Sequence, residues 1–490
     1  MPSPVITPDT RSAELECARE PIHLAGAIQP GGWLVVFDMR TLAIHAVSAN
    51  IGTLFDAKPD ELIGSGADAY FERPLLEACM EACSHSTQTT HAMGQHNIGD
   101  QARLCDVTTH ARDGMLQIEI EPARADRAPG IVTRTHAAIT RTMGMSDTHV
   151  FMQQCVAELR TLTGFERAMV YRFLPDDTGV VVAEAIEDGL ESWLGQRYPA
   201  SDIPPQARGL YLLNRIRTIP DTGYEPVPVL QRAPEPLDLT MTGLRSISPV
   251  HREYLANMGV GAAISMSIVV EGALWGLILC QDRHPHDTGA ALRNALDLFG
   301  AFFSVRIAAE TQVETSAHRR RVRETCMILR EKNALDPAGL ARELPLLARL
   351  VPNAGLGVVA AGEWLAAPRE GLDEAARDAL VAWLRGQDGR QIVASTRGEW
   401  RTSPGALAGV LAVRLGAKAD AWLIYFRETY DEEICWAGIP DKHVERLADG
   451  RVRIAPRADF TAWRAIQKDQ CEAWVAWDLD AVAAMSDLMR

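Results

Sequence analysis

The sequence predicts an α+β protein of three tandem domains, each an antiparallel sheet with flanking helices, joined by a long helical spine. Three observations support this prediction. A chain of 490 residues is too long for a single hydrophobic core. Short apolar strands bounded by turn residues recur in three regions. Residues 287–333 have a helical pattern almost throughout, and so long a helix cannot be buried along its whole length in one domain.

The composition argues against a nucleic-acid-binding protein and against a membrane protein. The formal net charge is −15, whereas a phosphate-binding surface needs a basic stripe. The basic cluster HRRRVR at 318–323 is better explained as a solvated helix face. No apolar run approaches the ~18 residues of a membrane span, and the N-terminus lacks the order of a signal peptide. We therefore expect a cytoplasmic protein.

The nine cysteines are scattered without CxxC pairs, which argues against a disulfide framework or a zinc knuckle. We expect them to be reduced thiols. Cys79 and Cys83 have the i, i+4 spacing of one helix face, but no further metal ligand lies near them in the sequence. Both are therefore predicted to be buried thiols, and no metal site is predicted.

Residues 1–20 show no periodicity and predict an extended arm that carries Cys17. A small α+β domain follows at 21–125. Its predicted elements are strands at 33–38, 43–47 and 116–120 and helices at 59–62 and 74–83. The alternation of apolar and polar residues then fades, and no regular element is predicted before Asp147.

A second domain is predicted at 146–310, with turn residues such as PDDTG between neighbouring strands. Its predicted elements are helices at 148–162 and 251–258 and strands at 168–173, 180–185, 262–270 and 274–280. The short turns indicate an antiparallel sheet with helices on one face.

The stretch 197–217, RYPASDIPPQARGLYLLNRIR, carries the most informative chemistry. Its prolines fix φ and lack backbone donors, so Asp202 must lie in a turn with its carbonyl available. A helix is predicted to begin near Gln206 and to present Tyr211 and Arg217. This mixture predicts a cradle for a large, flat, anionic ligand whose centre carries a proton.

A third domain is predicted at 325–475, with strands at 355–361 and 419–426. Its glycines at 355, 357 and 362 do not have the spacing of a dinucleotide-binding loop. The polar excursion at about 431–463 is too long for a plain hairpin, and insertions of this kind are often functional. Residues 476–490 predict a helix that the end of the chain cuts.

Six motifs closely resemble those of bacterial phytochromes, in the family's order along nearly the whole chain. They are CARE-PIHLAGAIQP (17–30), YPASDIP (198–204), LRSISPVHREYLANMGV (244–260), LWGLILC (274–280), WAGIPDK (436–442) and PRADF (456–460). The resemblance implies that the three domains are PAS, GAF and PHY domains and that they bind biliverdin. It also implies that the excursion at about 431–463 is the tongue of the PHY domain, and that 476–490 begins a helix leading to an output domain. In this family the N-terminal arm passes through a loop of the GAF domain, with Ile28 at the crossing.

The resemblance also assigns roles to individual residues. Cys17 is the expected covalent attachment site for the ring A end of biliverdin. Asp202 and His251 are expected to contact the protonated pyrroles, and Arg217 and Arg245 to hold the propionates as planar forks. The other expected chromophore neighbours are Tyr211, Ser248 and Ser265, which could supply neutral hydrogen bonds, and Tyr171, Tyr198, Gln196, Ile203 and Gln281, which lie near ring D or the ring system.

The tongue is expected to contact the GAF domain through Arg457, which would pair with Asp202, and to contribute Trp436 and Asp459. Light would isomerise biliverdin at ring D, weaken this contact and refold the tongue. Three residues depart from the family pattern: Gln281 and Gly31, where histidine is common, and Asp459, where the family has serine. Because Asp459 would repel Asp202 after a swap of partners, we expect an unstable photoproduct and a red-absorbing dark state.

The chain itself is not expected to be an enzyme, although the family's usual output is a histidine kinase that signals to a response regulator. The long helix is expected to support a homodimer. Two other classes remain open at this point. A PAS and GAF pair could sense a diffusible small ligand, and Cys17 or Cys280 could serve a thiol hydrolase, although no oxyanion or base arrangement is visible.

Overall fold

The computed structural model describes residues 19–84, 89–123, 130–286, 288–368, 370–387, 389–396, 398–401, 406–416, 420–439, 444–446, 452–454 and 457–489. The chain divides into two compact units, Pro2–Ala308 with Cys435–Trp463, and Ala309–Ile434 with Arg464–Arg490. The predicted attachment residue Cys17 lies outside the described residues. The prediction of an α+β protein with sheets in three regions and a long helix is confirmed.

The first sheet has seven strands in the order β1-β11-β3-β2-β6-β5-β4. Its strands are β1 (Ala27–Ile28), β2 (Trp33–Asp38), β3 (Ile44–Ser48), β4 (His91–Ile98), β5 (Arg103–Arg112), β6 (Met115–Pro122) and β11 (Val227–Gln231). The helices are α1 (Pro59–Leu62) and α2 (Arg73–Ser84), with 3₁₀ turns at Ile51–Thr53 and Ala67–Ala69. The predicted strands and helices of this region are confirmed, whereas β4 and β5 were not predicted.

Strand β1 joins two parts of the chain that are far apart in sequence. Ile28 pairs with Val227 on one side and forms a bridge with Arg245 on the other. Both partners belong to the connection between the strand Ile216–Ile219 and the helix Pro249–Asn257. Ile28 is fully buried between them. This is the arrangement expected where an N-terminal segment passes through a loop, a rare exception to the rule that chains avoid threading.

The second sheet has the order β10-β12-β13-β7-β8-β9-β19-β22. Its first six strands are β7 (Arg167–Phe173), β8 (Gly179–Ile186), β9 (Arg197–Tyr198), β10 (Ile216–Ile219), β12 (Ala262–Val270) and β13 (Ala273–Asp282). The accompanying helices are α3 (Ile131–Met143), α4 (Thr148–Thr163), α5 (Pro205–Leu213) and α6 (Pro249–Asn257), with a 3₁₀ turn at Ala200–Asp202. Helix α4 begins where the Asp147 side chain accepts a hydrogen bond from the Val150 amide, and it ends at Gly164 in the left-handed conformation.

Helix α7 (Ala290–Glu331) has 42 residues, close to the predicted 287–333. Its first part buries Phe299 and Phe303 in the core of the second sheet. On other faces Leu298, Val305 and Val313 are more than half exposed.

The third sheet has the order β15-β14-β18-β17-β16. Its strands are β14 (Gly355–Ala360), β15 (Glu363–Ala366), β16 (Ile392–Ser395), β17 (Leu407–Arg414) and β18 (Ala421–Glu428), and its helices are α8 (Pro337–Arg342), α9 (Leu344–Leu347), α10 (Glu374–Arg385) and α11 (Ala476–Leu488). Gly362 turns β14 directly into β15, so no helix follows β14 as a dinucleotide-binding loop requires.

The excursion predicted at 431–463 contains strands. They are β19 (Tyr430–Ala437), β20 (Val444–Arg446), β21 (Val452–Ile454) and β22 (Ala462–Gln470). Trp436 of β19 pairs in parallel with Arg197 of β9, which adds β19 to the second sheet. β20 and β21 form a separate antiparallel pair.

The described cysteines are all free thiols. Cys79 and Cys83 are buried in the core of the first sheet, and burial raises the pKa of Cys79 to about 12. Burial also raises the pKa of Cys280 to about 12, so this thiol is poorly suited to nucleophilic attack. Among the described helices, none has the length and apolar composition that crossing a membrane requires.

Candidate functional site

Two of the arginines predicted from the sequence are buried. Arg217 lies on β10 of the second sheet, and Arg245 lies in the segment that forms a bridge with Ile28 of β1. Arg217 is 8% exposed and Arg245 is 7% exposed. Arg217 donates to the carbonyls of Thr242 (3.3 Å) and Gly243 (3.0 Å) and to the carbonyl of Arg245. Arg245 donates to the Ile22 carbonyl at 2.7 Å. Neither guanidinium forms a salt bridge with a carboxylate in the described part of the chain.

The electrostatics of this pair are unusual for buried cations. Burial and the positive charge of Arg217 together lower the pKa of Arg245 to about 9. Burial also lowers the pKa of Arg217. The Nε of Arg245 is buried without a hydrogen-bond partner in the described structure. Two buried like charges with an unused donor favour an anionic ligand, because an anion would neutralise both.

Neutral hydrogen-bonding groups lie beside Arg217. Arg217 of β10 is the cross-strand partner of Ser265 of β12, and the Tyr211 hydroxyl of α5 lies 3.5 Å from the Ser265 Oγ. The predicted helix start near Gln206 is confirmed, with Pro205 as the first residue of α5. Proline at this position needs no hydrogen-bond partner for its nitrogen, which explains why the helix begins there. The prediction that this helix presents Arg217 is wrong, because the helix ends at Leu213 and Arg217 lies on β10.

Helix α6 carries a histidine and a tyrosine on one face. The Ser248 side chain accepts a hydrogen bond from the Val250 amide at 3.3 Å and caps the helix, and Pro249 follows it. His251 and Tyr254 are three residues apart and stack with ring centroids 6.2 Å apart. Burial and the charge of Arg217 lower the pKa of His251 to about 4. The imidazole is therefore neutral at pH 7.

Asp202 lies in a 3₁₀ turn and is held by two partners. The Tyr254 hydroxyl donates to its Oδ2 at 3.0 Å, and Arg457 Nη2 lies 3.3 Å from its Oδ1. The side chains of Asp202 and Arg457 are each 10% exposed. Burial raises the pKa of Asp202, whereas Arg457 and Tyr254 oppose this change. Arg457 and Tyr254 therefore favour the charged form of this buried carboxylate.

Arg457 makes further contacts that fix its position. Its Nη1 donates to the Ala437 carbonyl, and its own carbonyl accepts a hydrogen bond from Asn257 of α6 at 3.1 Å. Phe460 lies edge-on to Tyr254, with ring centroids 5.1 Å apart. The segment at 457–460 of the excursion thus contacts both α6 and the Asp202 turn.

Asp459 makes a local hydrogen bond at the protein surface. Its side chain is exposed and accepts a hydrogen bond from the Thr461 amide at 2.8 Å, which lowers its pKa. Its backbone carbonyl packs against Gly438, where any side chain would collide with it, and Gly438 has a positive φ of 82°. Only glycine fits this position without strain.

Two buried tyrosines lie close enough to Asp202 for its charge to act on their hydroxyls. The rings of Tyr171 and Tyr198 have centroids 5.7 Å apart, and both side chains are 4% exposed. Burial raises the pKa of both hydroxyls. The Tyr198 hydroxyl and the amide oxygens of Gln196 and Gln281 are buried without a partner in the described structure. Such orphaned polar atoms suit a ligand with its own polar groups.

The structure therefore brings most of the predicted residues together in two groups. One group is Arg217, Arg245, Tyr211 and Ser265, and the other is Asp202, Ile203, Tyr171, Tyr198 and Arg457, with Trp436 on β19 beside them. Ser248 caps α6, Gln196 directly precedes β9, and Gln281 lies on β13. His251 lies between them, since it stacks on Tyr254 and responds to the charge of Arg217. Ile203 packs with Tyr171 and Tyr198, and Trp436 pairs with Arg197.

The sequence analysis gave no role to Tyr254, Asn257 or Phe460. The first two lie within the motif LRSISPVHREYLANMGV, and their i+3 and i+6 spacing from His251 could have placed them near its helix face. Phe460 ends the motif PRADF. No sequence signal indicated that the Tyr254 hydroxyl would bind Asp202, because the two are 52 positions apart.

Comparisons with known proteins agree with this arrangement. The PAS fold family matches residues 17–123, the GAF domain family 147–310 and the phytochrome region family 319–490. A bacteriophytochrome of Pseudomonas aeruginosa is 34% identical over 97% of this chain and 65% of its own length. A bacteriophytochrome of Xanthomonas campestris pv. campestris is 31% identical over 97% of this chain and 78% of its own length. Cyanobacterial phytochrome B of Nostoc is 30% identical over 95% of this chain and 64% of its own length, so the chain spans about two thirds of such relatives.

Two solved structures are also similar. The crystal structure of a bacteriophytochrome from the photosynthetic bacterium R. palustris has a TM-score of 0.81 and 30% identity, covering 97% of this chain and 98% of that one. The photosensory core module of a Stigmatella aurantiaca phytochrome has a TM-score of 0.80 and 31% identity, covering 96% of each.

Proposed function

This chain belongs to the bacteriophytochromes, and we propose that it is a red/far-red light sensor that binds biliverdin covalently through Cys17. The observation that carries the proposal is the pair of buried arginines, Arg217 and Arg245, which have no salt bridge to a carboxylate in the described structure. Biliverdin carries two propionates, and a planar guanidinium binds a carboxylate as a fork. Tyr211 and Ser265 add neutral hydrogen bonds beside Arg217.

The centre of the site suits a ligand with inward-pointing N–H groups. His251 is neutral, so its ring can donate one hydrogen bond and accept another. The backbone carbonyl of Asp202 can accept a hydrogen bond from an N–H group. The Asp202 side chain is already bound by Tyr254 and Arg457. Its negative charge lies near enough to favour a protonated, cationic ligand.

Biliverdin would supply the absorption of light and a ring D double bond that isomerises. Tyr171, Tyr198, Gln196, Ile203 and Gln281 would surround that end. The unpartnered oxygens of Tyr198, Gln196 and Gln281 would form hydrogen bonds with its polar groups. Cys17 would attach the pigment by adding across a vinyl group: the sulfur forms a C–S bond to one carbon, and the thiol proton ends on the other. This attachment happens once and is not turnover.

Signal output would pass through the contact of Arg457 with Asp202. Arg457 holds the Asp202 carboxylate and the Ala437 carbonyl at the same time, so loss of one contact loosens the tongue strand β19. In the alternative arrangement the Asp202 carboxylate would meet Asp459 instead of Arg457. Two carboxylates resist sharing a site unless a proton lies between them, so the lit form would revert quickly to a red-absorbing dark form.

The full-length protein would signal through an output domain that follows α11, and we propose a histidine kinase acting on a response regulator. A homodimer through α7 is supported by the exposed apolar residues Leu298, Val305 and Val313, spaced seven and eight positions apart. A cytoplasmic location is part of the same proposal.

Adding biliverdin to the purified protein tests the proposal. We expect a strong red absorption band to develop and to remain with the protein after denaturation. Absence of bound pigment would contradict the proposal and would favour a sensor of a diffusible small ligand.

A further inference from the structure

The outer face of strand β6 is polar and buried, which its sequence pattern does not predict. Leu116, Ile118 and Ile120 fill the core of the first sheet. The alternating residues Gln117 and Glu119 would then be expected to face solvent, yet they are 1% and 3% exposed. Burying a carboxylate costs free energy unless hydrogen bonds or ion pairs compensate, so the groups that bind Glu119 indicate its role.

Glu119 binds two consecutive backbone amides of the segment that crosses β1. The Gly243 amide donates to its Oε1 at 3.0 Å, and the Leu244 amide donates to its Oε2 at 2.7 Å. The peptide bond before Gly243 carries the Thr242 carbonyl, and the peptide bond before Leu244 carries the Gly243 carbonyl. These are two of the carbonyls that accept hydrogen bonds from Arg217.

The same two peptide groups therefore lie between a carboxylate and a guanidinium. In a trans peptide the N–H and the C=O point in opposite directions, so Glu119 binds one side and Arg217 binds the other. Above its raised pKa of about 7, Glu119 carries a negative charge that polarises each peptide. This polarisation makes the carbonyl oxygen of each peptide a stronger hydrogen-bond acceptor for Arg217. Glu119 thus acts as a remote counter-charge that fixes both the segment and the guanidinium.

The hydrogen bonds of Arg217 to these carbonyls leave some of its N–H donors for a ligand. Among the described residues Arg217 uses three of its hydrogen bonds on the carbonyls of Thr242, Gly243 and Arg245. A guanidinium has about five donors, so about two remain, and the fixed carbonyls determine which way they point.

We propose that Glu119, on the PAS sheet, is a positioning residue for the propionate-binding arginine Arg217 of the GAF domain, an inference that rests on the proposed function. It orients the free donors of Arg217 through the peptides at 242–244 and so sets the affinity for a carboxylate of the pigment. Glu121, two positions along the same strand, binds Arg293 at 2.9 Å instead and provides a matched control.

The test measures noncovalent affinity in a Cys17→Ser background, for biliverdin and for its dimethyl ester, which lacks the propionate charges. We expect Glu119→Gln to weaken biliverdin binding by about tenfold and to leave the ester unchanged. Glu121→Gln should leave both affinities unchanged. In an Arg217→Met background, Glu119→Gln should have no further effect.

An equal loss of affinity for both ligands would overturn the inference, since it would indicate a general structural role, and so would no loss at all. In the ligand-free protein, amide hydrogen exchange at 240–247 should accelerate in Glu119→Gln and not in Glu121→Gln. If Glu119→Gln does not fold, Glu119→Asp, which keeps the charge but withdraws it from the peptides, should give the same selective loss. Failure of the parent protein to bind either pigment would instead contradict the proposed function.

Discussion

Arg457 Nη2 lies 3.3 Å from Asp202 Oδ1, and both side chains are only 10% exposed although 255 positions separate them in sequence. Because burial raises the pKa of Asp202 and Arg457 counteracts this, the pair is coupled. The contact joins the tongue to the turn that the ligand is proposed to touch.

Replacing Arg457 with alanine should release the tongue. The change removes the bonds to Asp202 and to the Ala437 carbonyl, and charged hydrogen bonds contribute about 1.5–3 kcal/mol each. Hydrogen exchange in the dark should accelerate at 435–439 and 457–463 by about tenfold or more. Arg464→Ala is the control, since its pair with Glu433 is largely exposed and contributes little. Equal exchange in both variants would contradict the role of Arg457.

Replacing Asp459 with serine should slow dark reversion. The change removes the carboxylate that would repel Asp202 in the lit form, and a tenfold slower rate corresponds to about 1.4 kcal/mol in the barrier. In the unmodified protein reversion should slow as the pH falls, because a shared proton relieves the repulsion. Asp459→Asn should also be slow, since it removes the charge but can still accept from Thr461. Reversion that stays unchanged in Asp459→Ser would refute the repulsion argument.

Replacing Cys17 with serine should separate binding from attachment. The hydroxyl is too weak a nucleophile to add to the vinyl group, so pigment should bind but be stripped by denaturation. Gel electrophoresis with detection of bound pigment measures this. Cys326→Ser, at a half-buried thiol of α7, should keep covalent pigment. Pigment that stays attached in Cys17→Ser would assign the linkage to another residue.

Replacing Arg427 with methionine should destabilise the third sheet. Arg427 binds the fully buried Asp478 at 3.0 Å and the carbonyls of Glu472 and Ala473, and it stacks on Trp474. Removing one member of a buried ion pair costs about 3–5 kcal/mol, because the other charge is left unpaired. Urea unfolding followed by tryptophan fluorescence measures the loss.

The double variant Arg427→Met/Asp478→Leu provides the control, since replacing both charges restores an apolar contact. It should recover most of the lost stability. A double variant less stable than Arg427→Met would contradict this account, because it would show that Asp478 stabilises the fold without Arg427, through the hydrogen bond that it accepts from the Val475 amide.

The stability of the protein should depend on Glu119 between about pH 4.5 and 7. Burial raises the pKa of Glu119 to about 7 from its usual 4.5, so the folded state holds this proton more tightly than the unfolded state. The contribution is therefore fully present below about pH 4.5 and is lost as the pH rises through about 7. His110, whose Nδ1 lies 4.0 Å from Glu119, has its pKa lowered to about 4 by burial and acts in the opposite direction.

Comparison with Glu119→Gln separates the two groups, because His110 is present in both proteins. The free energy of unfolding of the parent protein minus that of the variant should increase as the pH falls from 7 to 4.5. A difference that does not change with pH would contradict the raised pKa.

Much of the fold follows from local sequence. Alternation and turn residues predicted β2, β7, β12 and β13, because these strands have one or both faces in a core. Helix α3 was missed because its IVTRT and ITRT stretches are rich in β-branched residues. Strands β4 and β5 were missed because many of their residues are polar or exposed, and apolar periodicity does not mark such strands.

The site was predictable where motifs hold its residues and not where distant segments meet. Asp202, His251 and Arg457 could be selected because each lies in a recognisable motif. β1 pairs with β11, and Glu119 accepts a hydrogen bond from the Gly243 amide. Each contact joins segments far apart in the sequence, and no local pattern predicts it. The partners of Arg217 are backbone carbonyls, which sequence does not distinguish.

The most direct test of the light-sensing proposal is an absorption spectrum of the biliverdin-loaded protein in the dark, after red light, and during recovery. We predict a red band that bleaches into a far-red band and returns quickly in darkness. A far-red band that grows in darkness would contradict the predicted dark state, and a spectrum that red light does not change would contradict the proposal that this chain senses light.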